Sequence, residues 1–148
     1  MLKKAAIMLD DVSRKVKIKS NTILETQKVK AEKLMKVLHE ASVDTSIKDM
    51  NIEKHKIKLM DLIRKQSDFE AIWSNRMDGS FIFSEPPAGL ANAKVRDWWQ
   101  QAAAGNNYMS DDYISAITKK SCVTISVPVR DHSGKIVGVL GADVKLED

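Results

Sequence analysis

"SCVTISVPVRDHSGKIVGVLGADVKL", residues 121–146, decides the fold. Two runs rich in β-branched residues, SCVTISVPVRD and GKIVGVLGADVKL, flank the turn sequence DHSG. Asp and Ser bond back to a turning backbone, and Gly supplies the positive φ that a tight turn requires. The stretch therefore predicts two long antiparallel strands joined by a hairpin. Cys122, the single cysteine, lies in the first of them and reads as a buried structural thiol; alone, it forms no internal disulfide. "GVLGAD" has a G-x-x-G spacing, but no helix follows it, so it is not a dinucleotide fingerprint. Its glycines let a helix or a ligand come close to the strand.

Upstream, the same logic finds a second hairpin. "FEAIWSN" sets Phe69, Ala71 and Trp73 against Glu70, Ile72 and Ser74 with period two, "RMDGS" is a turn, and "SFIFS" is the return strand. Pro86 and Pro87 make "EPPAGLAN" a loop. "AKVRDWWQQAAAG" predicts a helix that stops at Gly105. Before Asp68 the period is helical, and residues 2–66 hold neither Gly nor Pro. The spacing predicts helices over about 3–41 and 47–66, with Ser46 and Asp49 forming a capping box and Ile47, Met50, Ile57, Met60 and Ile63 as the buried stripe of the second. Helices and hairpins in this order make an α+β fold, an antiparallel sheet with helices packed on it. Residues 1–45 are read as a helical extension and 46–148 as one domain.

The 148 residues carry 24 Lys and Arg against 20 Asp and Glu. Residues 1–68 hold sixteen basic and ten acidic side chains, and the rest hold eight and ten. The excess lies in the aromatic-poor helical half, where lysines form the solvated face of an amphipathic helix, so no nucleic-acid partner is expected. The stripe Leu2, Ala5, Leu9, Val12 and Val16 has 3–4 spacing and no evident cover, which predicts a homodimer through this helix. The apolar run Ala5–Leu9 is too short for a signal peptide, and no run of transmembrane length exists.

Enzyme motifs are missing: no HExxH, GxxxxGK[ST], GxSxG or CxxC occurs. His39, His55 and His132 are scattered over two helices and a turn, so no metal site is expected, and no cofactor. The informative stretch is "NAKVRDWWQQAAAGNNYMSDDY", residues 92–113, which holds four of the eight aromatics. In a helix Arg96 and Trp99 share a face, with Trp98 about 100° away. Arg offers a planar fork that grips a carboxylate, and Trp adds an apolar wall with one donor. The same residues also read as core filling, with Arg96 paired to a protein carboxylate.

Residues 66–146 resemble the Cache (PDC) sensor domains of bacterial methyl-accepting chemotaxis receptors. The ordered set carries the resemblance: the D-G hairpin, Arg-x-Trp followed by an aromatic, "YISAIT", "SVPVRD..GKIVGVLGAD" and the closing Asp143. It implies a PAS-like sheet of five antiparallel strands with a long N-terminal helix, and a ligand held between sheet and overlying loops. In the amino-acid-binding branch, the Arg and Trp of Arg-x-Trp hold the ligand carboxylate and a late Asp holds its ammonium. Carried over, Arg96, Trp98, Tyr113 and Asp143 match, and Trp99 stands where Tyr is usual. Ala91 replaces an assisting Tyr, and Ser115 replaces a second Asp. These two losses shift the expectation from a free amino acid toward a smaller carboxylate: acetate, propionate, pyruvate or lactate.

The resemblance thus implies the sensory domain of a membrane chemoreceptor, facing outside the cytoplasmic membrane, that transmits a helix shift to a C-terminal signalling domain lying outside this chain. A histidine kinase or cyclic-dinucleotide enzyme is the alternative output, a structural dimerisation module with an empty pocket the alternative role, and a cytoplasmic receptor the alternative placement.

Overall fold

The computed structural model describes residues 10–147, with side chains from Glu25 onward. Helix α1 spans Asp10–Ser42, α2 Thr45–Lys48, α3 Ile52–Lys65 and α4 Asp97–Ala103. The strands are β1 (Phe69–Arg76), β2 (Phe81–Glu85), β3 (Tyr108–Met109), β4 (Tyr113–Ile114), β5 (Ser121–Arg130) and β6 (Ile136–Lys145). They form one antiparallel sheet in the order β2-β1-β6-β5-β3, with β4 also pairing β5. The α+β architecture is as the sequence predicts. The fifth place in the sheet is shared by two short strands, β3 and β4, so there are six strands rather than five.

Both hairpins form where the turn chemistry puts them. Gly79 has φ +86° and Gly134 has φ +92°. Asp131 Oδ1 accepts the Ser133 and Lys135 amides at 2.8 and 3.1 Å. The β5–β6 hairpin is the centre of the fold, because β1 returns to pair along the free edge of β6. Strands β1, β5 and β6 are consequently covered on both faces.

Helices α1, α2 and α3 cover one face. Ala31, Leu34, Leu38 and Ala41 recur at helical spacing along α1 and are buried against Val123, Ile125, Val127, Leu140, Ala142 and Val144. The homodimer stripe lies outside the description: Leu2, Ala5 and Leu9 fall before Asp10, and the side chains of Val12 and Val16 are not described. Among the described residues, no helix is long and apolar enough to cross a membrane.

The expected second helix is two helices. Met50 takes φ 55°, in the left-handed region, which ends α2. The capping box is replaced by two separate caps. Asp44 accepts the Ser46 amide at 2.9 Å, and Asn51 Oδ1 accepts the Lys54 amide at 3.0 Å. The restart changes which residues face the sheet: Ile57 is 69% exposed, while His55 and Leu59 are fully buried. His55 Nε2 lies 2.8 Å from the Ile47 carbonyl and Nδ1 lies 2.9 Å from Ser74 Oγ. A carbonyl only accepts, so Nε2 carries the hydrogen and Nδ1 accepts from the serine. Burial holds the His55 pKa below its usual value.

The period-two reading of β1 also needs correction. Pairing with β6 shifts register between Phe69 and Ala71. The bulge at Glu70 sends Phe69 into the helix-side core, whereas Ala71 and Trp73 line a cavity on the opposite face.

Candidate functional site

On the face away from α1 lies an open cavity of about 590 Å³, between the sheet and the segment running from Pro86 through α4 to Tyr113. Its floor comes from facing positions on three central strands. Ala71 pairs with Asp143 and Asp143 with Thr124, so the three side chains lie in a row across β1, β6 and β5.

Asp143 is the chemical centre of the floor. Its Oδ1 accepts the Thr124 hydroxyl at 2.7 Å and the Tyr113 phenol at 3.1 Å. The two hydroxyls lie 2.7 Å apart. Burial raises the Asp143 pKa, the two hydroxyl bonds oppose that rise, and the charged neighbour acting on the group, Glu70, pushes it further up. Burial also raises the Tyr113 phenol, with Asp143 adding to the effect. Asp143 sits within β6, two residues before its end. Among the described residues no cationic side chain pairs with Asp143.

Arg96 lines the same cavity from its mouth. The helix expected from Ala93 begins only at Asp97, so Arg96 is its N-cap, with extended backbone at φ −90° and ψ 137°. Its carbonyl accepts the Trp99 and Gln100 amides, and its side chain makes no capping bond. Arg96 is exposed rather than buried. Arg96 and Trp99 therefore do not share a helical face.

The adjacent tryptophans separate. Trp98 turns onto the sheet, with its ring 5.0 Å from Trp73 and 6.4 Å from Phe81, both pairs tilted. Its carbonyl accepts the Ser126 hydroxyl at 2.7 Å, which ties α4 to β5. Trp99 points elsewhere: its Nε1 donates to the Arg76 carbonyl at 3.2 Å, and it does not line the cavity. About 100° of helix rotation between neighbours accounts for the split.

Ser115 also lies off the cavity. It is buried, donates to Glu70 Oε1 at 2.6 Å, and accepts the Ile117 and Thr118 amides, so it fastens the β4–β5 connection. Of six expected site residues the fold brings four to one cavity: Arg96, Trp98, Tyr113 and Asp143.

Trp73, Phe81, Tyr108, Thr124 and Asp97 line the cavity without having been expected there. Trp73 had a readable signal, because the loosened packing at Gly141 faces it across the ladder. A Cβ at Gly141 would collide with Nε1, Cε2 and Cζ2 of the indole. Gly138 serves the other face, admitting Met50. The two glycines thus pass side chains of the protein itself.

The family profile described as "Methyl-accepting chemotaxis protein-like, first PDC sensor domain" matches residues 57–148. Among solved structures, the chain is similar to the ligand-binding domain of the Pseudomonas fluorescens chemoreceptor CtaA in complex with L-serine, at 18% identity and TM-score 0.63, covering 92% of this chain and 60% of that one. It is similar to the sensor domain of the Vibrio cholerae histidine kinase DctB, at 14% identity and TM-score 0.68, covering 95% and 58%. The ligand-binding domain of the Pseudomonas aeruginosa PAO1 chemoreceptor PctB with L-Arg matches at 21% identity and TM-score 0.63, covering 81% and 51%. The chain thus spans little more than half the length of these structures. A curated citrate (Re)-synthase of Syntrophus aciditrophicus is 35% identical over 54 residues, which are 36% of this chain and 9% of that protein.

Proposed function

The chain belongs to the methyl-accepting chemotaxis protein-like family of first PDC sensor domains, and from that premise we propose that its cavity binds a small molecule carrying both an amine and a carboxylate. The observation that carries this reading is Asp143, desolvated under the cavity with hydroxyl partners and no cation, across from the free guanidinium of Arg96. An ammonium supplies the missing countercharge at the floor, and the Arg96 fork takes a carboxylate at the mouth.

A plain carboxylate fits less well. The cavity lining holds Asp97 and Asp143 against Arg96 alone, so acetate or lactate meets more like charge than opposite charge. The cavity volume also suits a larger ligand than acetate. The ligand-binding domains of CtaA and PctB are in complex with L-serine and L-Arg, which supports the same choice. The whole receptor we read as membrane-anchored, with this domain outside the cytoplasmic membrane.

Calorimetric titration of acetate, propionate, pyruvate, lactate and a panel of amino acids tests the reading. Amino acids are expected to bind and acetate is not. Arg96→Ala and Asp143→Asn should each weaken binding about ten- to a hundredfold, the value of one charge-assisted contact. Binding should strengthen as pH rises through the raised Asp143 pKa, because only the ionised acid attracts the ammonium. Equal affinity of all three proteins for every compound returns the aromatic cluster to packing.

We also propose a homodimer through the stripe that includes Leu9, Val12 and Val16. Sedimentation at about tens of micromolar, a fair range for a short coiled coil, should show a dimer that Val12→Glu converts to monomer. A wild-type monomer at that concentration ends the idea.

A further inference from the structure

We infer that the ligand's side chain is apolar, and that it packs in the outer part of the cavity between loop 86–95 and Ile117; the inference rests on the amine-and-carboxylate reading above. Two observations carry it: where the cavity's charges lie, and how much hydrophobic surface its rim leaves in water.

Among the described residues, three charged side chains line the cavity: Arg96, Asp97 and Asp143. The ligand's own ammonium and carboxylate engage Asp143 and Arg96. No second cation lines the cavity among the described residues, so an acidic side chain enters with no countercharge and with Asp97 at the mouth. A basic side chain drawn to Asp97 also meets the guanidinium of Arg96, its neighbour in the chain. A neutral polar side chain is not shut out. The hydroxyls of Ser84 and Ser110 donate to the Pro86 and Asp111 carbonyls and can each still accept a bond. What a polar side chain forgoes is burial.

The rim is where burial is to be gained. Pro86, Pro87, Ala88, Leu90 and Val95 line the cavity from a single loop, and Ile117 lines it from the β4–β5 connection. Val95 is 76% exposed and Ile117 66%. Large hydrophobic side chains scattered singly over a surface are ordinary. These two instead line one cavity, together with the rings of Phe81 and Trp98, which lie 6.4 Å apart. A ligand held by its charged ends at Arg96 and Asp143 brings its side chain to this rim. If that side chain is apolar, its own surface and the rim's leave water together.

Near-isosteric ligands test this: leucine, asparagine and aspartate, then norleucine against lysine, with glycine as the reference that has no side chain. All are titrated calorimetrically into the whole chain at one pH and salt concentration. Leucine should bind about tenfold or more tighter than asparagine, the scale of two buried methyl-sized groups, and aspartate should be the weakest of the three. Norleucine should exceed lysine. Val95 and Ile117 are exposed, so Val95→Ser and Ile117→Ser leave the core intact, and each should cut leucine's advantage over glycine about threefold. Asparagine equal to leucine, or aspartate or lysine above its apolar counterpart, overturns the inference, and so does an advantage that either variant leaves intact. If amino acids bind with dependence on Arg96 and Asp143 but without this preference, the inference fails and the parent reading survives. If no amino acid binds, both fail together.

Discussion

On the helix side of the sheet, β1, β5 and β6 present Ile72, Val123, Ile125, Val127, Leu140, Ala142 and Val144, met by Leu34, Leu38 and Leu59. On the cavity side the same strands present Ala71, Trp73, Thr124 and Asp143, overlooked by Trp98 and Arg96. One face excludes water and fixes three strands to two helices. The other leaves an acid without a cation, and Trp73 Nε1 buried without a hydrogen-bond partner. The apolar core and the polar cavity thus lie on faces a single strand thickness apart, and alternation of side chains along a strand makes the division possible. The division predicts that substitutions on the two faces act on different observables.

The largest effect is expected from Leu38→Ala. Leu38 is fully buried between α1 and the sheet, and truncating such a side chain costs about 2–5 kcal/mol through lost burial and the cavity left behind. Urea unfolding should show that loss, while ligand affinity of the folded fraction stays near wild type. A matching loss of affinity would erase the distinction between the faces.

Gly141→Ala should come next. It adds a methyl group into the Trp73 indole, and overpacking of this kind costs about 1–3 kcal/mol. The relief available to Trp73 is toward the cavity, so here one substitution should disturb both faces' observables. Unfolding and titration should report it together, with a change in tryptophan fluorescence. Wild-type behaviour in both would mean that the indole is not held against this strand.

The smallest effect is a slope with pH. His55 is held neutral by burial, with its folded pKa below 6.5. The unfolded chain then binds the proton more readily, so His55's contribution to stability is complete above about pH 6.5 and is lost as pH falls through the folded value. His55→Gln should flatten the stability profile between pH 7 and pH 5, the span in which a histidine titrates. An unchanged slope would place the acid sensitivity in other groups.

The helix, hairpin, helix, hairpin order was legible because each turn carries its own chemistry: Asp-Gly at 78–79, two prolines at 86–87, Asp-x-Ser-Gly at 131–134. The resemblance brought Arg96, Trp98, Tyr113 and Asp143 forward, and the structure brings them to one cavity. Trp99 is one helix step from the lining Trp98, which is enough to turn it away, and Ser115 lies just past the end of β4, in the turn toward β5, where its hydroxyl binds Glu70 and that turn's amides. Trp73 and Thr124 carry no motif, and only pairing across the sheet reveals them.

What the sequence determined by itself was local: strand and helix content, the two hairpin turns, and a helical face at Leu34, Leu38 and Ala41. These follow from periodicity and backbone preference, which act over a few residues. Only the tertiary structure decided that a bulge at Glu70 separates Phe69 from Trp73, that Met50 breaks one helix into two, and that Asp143, Thr124 and Tyr113 close on one another. Those outcomes depend on register between strands far apart in sequence, and a one-residue slip in register sends a side chain to the opposite face.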